Sequence, residues 1–160
     1  ALIASFGGIP LLYMGDEIGL LNDENWSQNS HGEDDSRWMH RPMMDWQKAA
    51  RRNTPGTVEA QLFHGMHKIV KARARTPQIH GFVPREILEP PARGLFAFRR
   101  RDEVSALVCL FNFTEQSQWV PVDWMQKVGV IELQDVLAEQ ALVERDGQVE
   151  IPPYAALWCV

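Results

Sequence analysis

The chain has few of the residues that build cross-links, membrane spans or nucleic-acid interfaces. Only two of its 160 residues are cysteines, Cys109 and Cys159, and without a Cys-x-x-Cys pair they form neither a disulfide framework nor a cysteine zinc site. Both lie in apolar, strand-like segments, so we predict buried free thiols and a cytoplasmic protein. No apolar run is long enough to cross a membrane. The net charge of −5 argues against a nucleic-acid partner.

What the chain does contain is an ordinary globular composition, with 45% hydrophobic and 23% charged residues. This length is enough for one domain or for two small ones with a buried core. Residues 1–6 read as the end of a helix that Gly7-Gly8 terminates. Because the chain begins there and without methionine, we expect it to be a piece of a longer protein.

The most informative stretch begins with an apolar run at residues 9–14, IPLLYM, and breaks off at Gly15-Asp16-Glu17. An apolar run of this length between Gly and Pro predicts a strand that is buried on both faces of a parallel sheet. A long polar loop, residues 15–53, follows, with a short helix predicted near residues 43–52. Loops of that length are commonly functional, and α/β enzymes place their sites where buried strands end.

A helix is predicted over residues 55–75. Thr54 is a suitable N-cap, Pro55 suits the first helical position, and Pro77 marks the stop. An apolar stripe runs along it, at residues 58, 62, 63, 66, 69 and 70. Residues 1–76 are therefore predicted to be a helix end, a strand, a loop and a helix.

From residue 78 the hydrophobic period changes to that of strands. Strands are predicted at 94–98, 105–113, 118–122, 129–133, 141–143, 148–151 and 154–160, with the longest of them central. Asp146-Gly147 is a strong hairpin signal. We predict an α/β part at residues 1–76 followed by an all-β antiparallel sandwich at residues 77–160.

Four segments of this sequence resemble the C-terminal end of the α-amylase family of glycoside hydrolases, family 13: IPLLYMGDEIGLLND, DDSRWMHRP, VKARARTP and PPYAALWCV. Within that family, Asp35-Ser36-Arg37-Trp38 with His40-Arg41-Pro42 is similar to the amylosucrase and sucrose hydrolase branch. The resemblance implies that residues 9–14 are the last strand of a (β/α)8 barrel and residues 55–75 its last helix. Residues 77–160 would be the family's C-terminal β domain.

The resemblance also implies an activity. The parent protein would be a retaining enzyme that transfers the glucosyl group of sucrose to a glucan or hydrolyses sucrose, without a cofactor. The catalytic carboxyl groups of the family follow earlier barrel strands, so none is expected in this chain, which would be inactive alone. Sucrose and a glucan acceptor are the expected partners. We also expect the chain to self-associate through the apolar barrel surface that it exposes.

Five residues are candidates for the site. The resemblance places Arg37 in the pocket that holds the glucosyl ring, where a guanidinium donates to sugar hydroxyls or to a carboxylate. The alternative is that Arg37 pairs with Asp34 or Asp35 and only shapes the loop. Adjacent residues on an extended chain point in opposite directions, so Asp16 and Glu17 are predicted to be structural, at the strand end. Trp26 and Trp38 either stack on sugar faces or anchor the loop.

Further alternatives remain open. Asp23, Glu24, Asp34 and Asp35 would suit calcium, but the Asp-x-Asp-x-Asp-Gly pattern is absent and we predict no metal. His64 and His67 lie three residues apart on the predicted helix, with no further ligand evident. A competing hypothesis makes the β domain a non-catalytic glucan-binding or barrel-capping module, for which Trp119 and Trp124 are the aromatic residues to test.

Overall fold

The computed structural model of the chain describes residues 1–28 and 35–160. These residues divide into two units, one formed by residues 1–10 and 69–160 and the other by residues 11–68. The first unit contains the β-structure, and the second contains the long loop and most of the long helix.

The bounds of the elements are as follows. The helices are α1 (Leu2–Phe6), α2 (Trp46–Ala50), α3 (Val58–Arg75) and α4 (Val122–Val128). Short 3-10 helices are Asp16–Ile18, Trp26–Gln28, Ser36–His40, Arg51–Asn53 and Pro77–Ile79. The strands are β1 (Arg85–Leu88), β2 (Leu95–Arg101), β3 (Ala106–Asn112), β4 (Gln118–Pro121), β5 (Gln134–Asp135), β6 (Gln140–Ala141), β7 (Glu144–Arg145), β8 (Gln148–Ile151) and β9 (Ala156–Cys159).

The β unit is an antiparallel sandwich. A six-stranded sheet has the order β1-β2-β3-β9-β5-β6, and a three-stranded sheet has the order β4-β8-β7. Leu110 of the large sheet and Val120 and Val149 of the small one meet in a single apolar core with Met125 of α4. Among the described residues every strand pairing is antiparallel, which confirms the predicted antiparallel β domain.

The large sheet is covered on its other face as well. Phe98, Cys109 and Trp158 form a second core with residues of α1 and the end of α3. The central strand β3 is consequently buried at every position. A strand buried on both faces reads as a continuous apolar run, which is why this strand was recognisable from the sequence.

A buried arginine attaches α1 to this second face. Arg100 is fully buried, and its guanidinium donates to the carbonyls of Ser5 (3.0 Å), His80 (2.6 Å) and Val83 (2.6 Å). Its Nε has no hydrogen-bond partner within residues 1–28 and 35–160. Burial lowers the pKa of Arg100 below its ordinary value, because removal from water disfavours the charged form.

Two more arginines hold the same segment. Arg73 of α3 donates to the carbonyl of Ala4, and its other terminal nitrogen lies 3.0 Å from the carbonyl oxygen of Gly8. The guanidinium of Arg85 lies 4.2 Å from the ring centroid of Phe6. Carbonyls at a helix C-terminus lack partners within the helix and attract cations, so this cluster stabilises α1 on the sheet.

Residues 9–14 do not form the predicted strand. They lie outside both sheets, and their apolar side chains are exposed, by 94% for Ile9 and 80% for Leu11. A parallel strand needs neighbouring strands to bond its N–H and C=O groups, and the described chain offers none here. The prediction of a barrel strand within this chain is therefore wrong. Self-association through this apolar surface stays a prediction.

Helix α3 begins later than predicted, at Val58 rather than residue 55. Gly56 has φ +84, which breaks the helix, and Thr57 caps it by accepting a hydrogen bond from the N–H of Ala60 through its Oγ1 (3.2 Å). The predicted helix is therefore present, but its N-cap is Thr57 rather than Thr54.

Two further predictions in the β unit were wrong. Residues 122–128 form α4, which ends at Gly129 with φ +111, so residues 129–133 are not a strand. The hairpin at Asp146-Gly147 is confirmed, but its first strand is β7, residues 144–145, rather than 141–143. In the described part of the chain, no helix is both long and apolar enough to cross a bilayer.

Candidate functional site

The apolar run at residues 9–14 ends in a tight turn, in which the carboxylates of Asp16 and Glu17 accept hydrogen bonds from the backbone. The N–H of Tyr13 donates to Asp16 Oδ2 (3.0 Å), and the N–H of Gly15 donates to Glu17 Oε2 (2.8 Å). The N–H of Leu20 donates to the carbonyl of Gly15 (2.9 Å) and closes the turn. Both carboxylates are therefore occupied by backbone donors of their own turn.

Glycine is required at both ends of this turn. Gly15 has φ +99, and a Cβ there would lie 2.8 Å from the side chain of Leu20. Gly19 has φ +64, and a Cβ there would lie 2.5 Å from Leu62 of α3. The Gly-Asp-Glu-Ile-Gly sequence thus fixes the path of the chain from the apolar run into the loop.

Arg37 lies in the 3-10 helix Ser36–His40, which Asp35 caps. Asp35 Oδ1 accepts the N–H of Arg37 (3.0 Å), and its two oxygens accept Arg37 Nε at 2.8 and 3.0 Å. The Arg37 side chain is 72% exposed. Among the described residues only Asp35 bonds the Arg37 side chain, through Nε, and the Nη1 and Nη2 groups have further donors to offer a ligand.

The pair perturbs both ionisations in the expected directions. The hydrogen bond from Arg37 lowers the pKa of Asp35 below its ordinary value, and the same bond raises the pKa of Arg37. Both groups therefore stay charged across the neutral range. The Asp35–Arg37 contact is one of the two pairings that the sequence left open, and it leaves most of the guanidinium exposed. Asp34, the other possible partner, lies outside the described residues.

Both candidate tryptophans lie in the same part of the loop. The N–H of Asp23 donates to the carbonyl of Met39 (2.9 Å), which ties the first half of the loop to the Arg37 helix. The helix Trp26–Gln28 contacts that helix, so the segments that carry Trp26, Arg37 and Trp38 meet in the loop. Trp38 is 38% exposed and Trp26 is partly buried. Asp16 and Glu17 lie in the separate turn.

An ion pair between Arg51 and Glu59, which was not predicted, lies at the end of the loop. Glu59 in the first turn of α3 is 4% exposed, and its Oε1 accepts a hydrogen bond from Arg51 at 2.5 Å. Its pKa is lowered, first by a hydrogen bond from the backbone N–H of its own residue and then by Arg51. An acidic residue in the first turn of a helix can be recognised from the sequence, but the burial of Glu59 could not be predicted in that way. The pair fixes the end of the loop to α3.

The residues considered above as possible metal ligands do not form a metal site in the described part of the chain. Within residues 1–28 and 35–160, no three acidic, histidine or cysteine side chains are arranged to hold a metal ion. Glu33 and Asp34 lie outside the described residues. His64 and His67 lie on either side of Phe63, and the His67 ring stacks on it at 6.3 Å.

The β unit is similar to a known protein domain. Residues 85–160 match the family model of the amylosucrase C-terminal domain. The match starts at the first residue of β1 and ends with residue 160, so it covers all nine strands described above. The predicted resemblance to the α-amylase family is confirmed by this match and by the folds of the solved structures below.

Solved structures match almost the whole chain. An Anoxybacillus α-amylase has 22% identity and a TM-score of 0.62, covering 99% of this chain and 30% of that one. AmyP in complex with maltose has 16% identity and a TM-score of 0.70, covering 98% and 32%. The cyclic α-maltosyl-(1→6)-maltose hydrolase from Arthrobacter globiformis has 19% identity and a TM-score of 0.60, covering 99% and 29%. The chain thus spans about a third of each, and these likenesses show the fold.

Proposed function

We propose, from the match of residues 85–160 to the family model of the amylosucrase C-terminal domain, that this chain is the C-terminal part of a sucrose-acting α-amylase family enzyme. The parent enzyme transfers the glucosyl group of sucrose to a glucan or to water. The family match is the observation that supports this proposal most directly. The loop motif at residues 35–42 supports the choice of sucrose.

In this proposal the chemistry requires residues outside the chain. A retaining enzyme uses two carboxyl groups about 5–5.5 Å apart. One attacks the anomeric carbon and displaces fructose, which the other protonates; that second group then takes a proton from the incoming hydroxyl or water. Asp16 and Glu17 are proposed to be structural instead, since each carboxylate accepts a backbone N–H of its own turn.

The role proposed for this chain is to hold the sugar through Arg37. Its Nε–H donates to both oxygens of Asp35, and that bifurcated hydrogen bond restrains the guanidinium. The Nη1 and Nη2 donors can then reach sugar hydroxyls, and Trp38, which is 38% exposed, follows Arg37 on the same 3-10 helix. The turn at residues 15–19 is proposed to hold the base of the loop.

The test uses the longer protein that carries this segment. It should release fructose from sucrose. Absence of fructose together with hydrolysis of maltooligosaccharides would contradict the choice of sucrose while leaving the family assignment intact. Growth of a glucan during the reaction, against release of free glucose, distinguishes transfer from hydrolysis.

Three variants of that protein test the site. Arg37→Gln should lower kcat/KM for sucrose about tenfold to a hundredfold, since it removes charged hydrogen bonds to the substrate. The matched control is Arg93→Gln, an exposed arginine outside this loop, which should change little. Asp35→Asn separates the two roles of Arg37. If Arg37 only shapes the loop, Asp35→Asn and Arg37→Gln will be equally impaired; if Arg37 binds sugar, Arg37→Gln will be far worse.

A further inference from the structure

Three arginine side chains of the β unit meet around residues 4–8. Arg100 and Arg73 donate to carbonyls of this segment, and a Cβ placed on Gly7 would lie 3.1 Å from Arg85 Nη1 and 3.7 Å from Arg100 Nη1. Among the described residues none of the three guanidiniums forms a salt bridge with an acidic side chain. Burial lowers the pKa of Arg100 most, and the nearby charges of Arg73 and Arg85 lower it further.

The register of the large sheet places two of these charges directly opposite each other. Arg85 of β1 pairs with Arg100 of β2. Like charges at such a pair are destabilising, whereas the adjacent pair, Glu86 with Arg99, forms a salt bridge at 2.6 Å. The end of α1 does not balance the three cations, because a helix C-terminus supplies only about half a negative charge. The described chain therefore leaves most of this positive charge uncompensated.

Unused hydrogen-bond donors remain on all three side chains. A guanidinium has five N–H donors. Arg100 uses three of them, and its buried Nε has no partner in the described part of the chain. Arg73 donates to two carbonyls. Arg85 is exposed and lies over the Phe6 ring, and its guanidinium makes no hydrogen bond to a described residue. An anion with several acceptor oxygens would bond these donors and balance the charge together.

The number of cations favours a small anion with more than one negative charge. Guanidinium groups match the oxygens of both phosphate and carboxylate. A phosphate monoester carries about −1.5 to −2 charges near pH 7 and three strong acceptor oxygens, so it balances more of the cluster than a single carboxylate does. A polyanion such as a nucleic acid is disfavoured, because Glu86 follows Arg85 on β1 and the chain has a net charge of −5.

We propose that Arg73, Arg85 and Arg100 form a binding site for a small phosphate anion, free or as an ester. The anion bonds the exposed Arg85 and the half-buried Arg73 beside Gly7, and the buried Arg100 contributes mainly through its charge. Because the three arginines belong to α3, β1 and β2 and surround the end of α1, a bound phosphate would join all four elements. The site contains no residue of the Arg37 helix and does not depend on the choice of sucrose.

The test measures binding by the full 160-residue chain. Inorganic phosphate, glycerol 3-phosphate and acetate are titrated separately by calorimetry at constant ionic strength, and Tm is measured with and without phosphate. We expect both phosphates to bind more tightly than acetate and to raise Tm, since a ligand of the folded chain stabilises it. The tighter of the two shows whether the free ion or an ester is preferred. Arg85→Gln should weaken phosphate binding about tenfold or more and remove most of the rise in Tm, and Arg85→Lys should retain part of both.

The matched control is Arg101→Gln, the same substitution at an exposed arginine that follows Arg100 on β2 and lies on the opposite face of the strand. It should bind phosphate like the unmodified chain. Absence of phosphate binding, equal affinity for acetate, or unchanged binding by a folded Arg85→Gln variant would overturn the proposal. So would a loss of binding in the longer protein that carries this segment, since one of its own carboxylates would then occupy the cluster. None of these outcomes bears on fructose release from sucrose, so the two proposals fail independently.

Discussion

Replacement of Arg100 by methionine should destabilise the β unit more than any exposed charge substitution. The side chain is fully buried, and its two terminal nitrogens donate to three backbone carbonyls, those of Ser5, His80 and Val83. Methionine leaves the carbonyls of Ser5 and Val83 without this donor, at about 1–3 kcal/mol for each buried group, whereas the carbonyl of His80 keeps the N–H of Val83. Removing the buried charge offsets part of this, so we expect a net loss of about 2–4 kcal/mol.

The assay is urea unfolding followed by circular dichroism. With an m-value of about 1–3 kcal/mol/M, a loss of about 3 kcal/mol lowers the midpoint by about 1–3 M. The matched control is Arg101→Met, the same substitution at the next residue of β2, where the side chain is exposed. It should change the unfolding free energy by about 0.5 kcal/mol or less.

A second variant keeps the experiment informative if Arg100→Met does not fold. Arg100→Lys retains the charge but lacks the planar fork that reaches carbonyls from both sides, so it should also be clearly less stable than Arg101→Met. Hydrogen exchange at residues 2–6 should accelerate in both Arg100 variants, because α1 loses its carbonyl partner. Stability of Arg100→Met equal to that of Arg101→Met would refute the inference that Arg100 attaches α1 to the sheet.

Two predictions concern ionisation. Burial raises the pKa of Cys109 to about 12 and that of Cys159 well above its ordinary value. Ellman's reagent at pH 8 should therefore find no reactive thiol in the folded chain and two after unfolding. Because the unfolded thiols release their protons near pH 9 and the folded ones do not, the free energy of unfolding should fall as pH rises from about 9 toward 12; rapid labelling of the folded chain would contradict this. The hydrogen bond from Arg37 lowers the pKa of Asp35, so its carboxyl should titrate below 3.8 in an NMR experiment and return toward that value in Arg37→Gln. The contact stabilises the loop above that pH and is lost as pH falls through the lowered pKa; an unchanged Asp35 titration in Arg37→Gln would show that the two side chains do not interact in solution.

The accuracy of the sequence predictions followed the range of the interactions involved. The hairpin at Asp146-Gly147 and the end of α1 at Gly7 depend on neighbouring residues, and both were predicted correctly. Helix α4 was missed because Val122, Trp124 and Val128 extend an apolar pattern from β4, and a short apolar segment does not distinguish a helix from a strand. The strand at residues 9–14 was wrong because its hydrophobicity is suited to neighbours that the described chain does not provide.

The Arg37 site shows the same division. The sequence left Asp34 and Asp35 as possible partners, and the cap of a 3-10 helix brings Asp35 onto Arg37 Nε. Asp35 lies two residues before Arg37, within reach of its backbone N–H, so an aspartate cap was available to sequence reasoning. The contact between the Trp26 helix and the Arg37 helix could not be predicted in this way. It accompanies the Asp23–Met39 hydrogen bond, which joins two distant halves of the loop.

The sequence by itself determined the antiparallel β domain, its central strand and the resemblance to the α-amylase family, because periodicity, turn residues and motifs are local properties of a chain. Tertiary structure alone decided that Arg100 is buried against three carbonyls, that Glu59 is buried with Arg51, and that Trp119 faces outward beside Glu150. Each of these depends on which distant segments pack together, because the burial of a side chain is set by those tertiary contacts and not by its residue type alone.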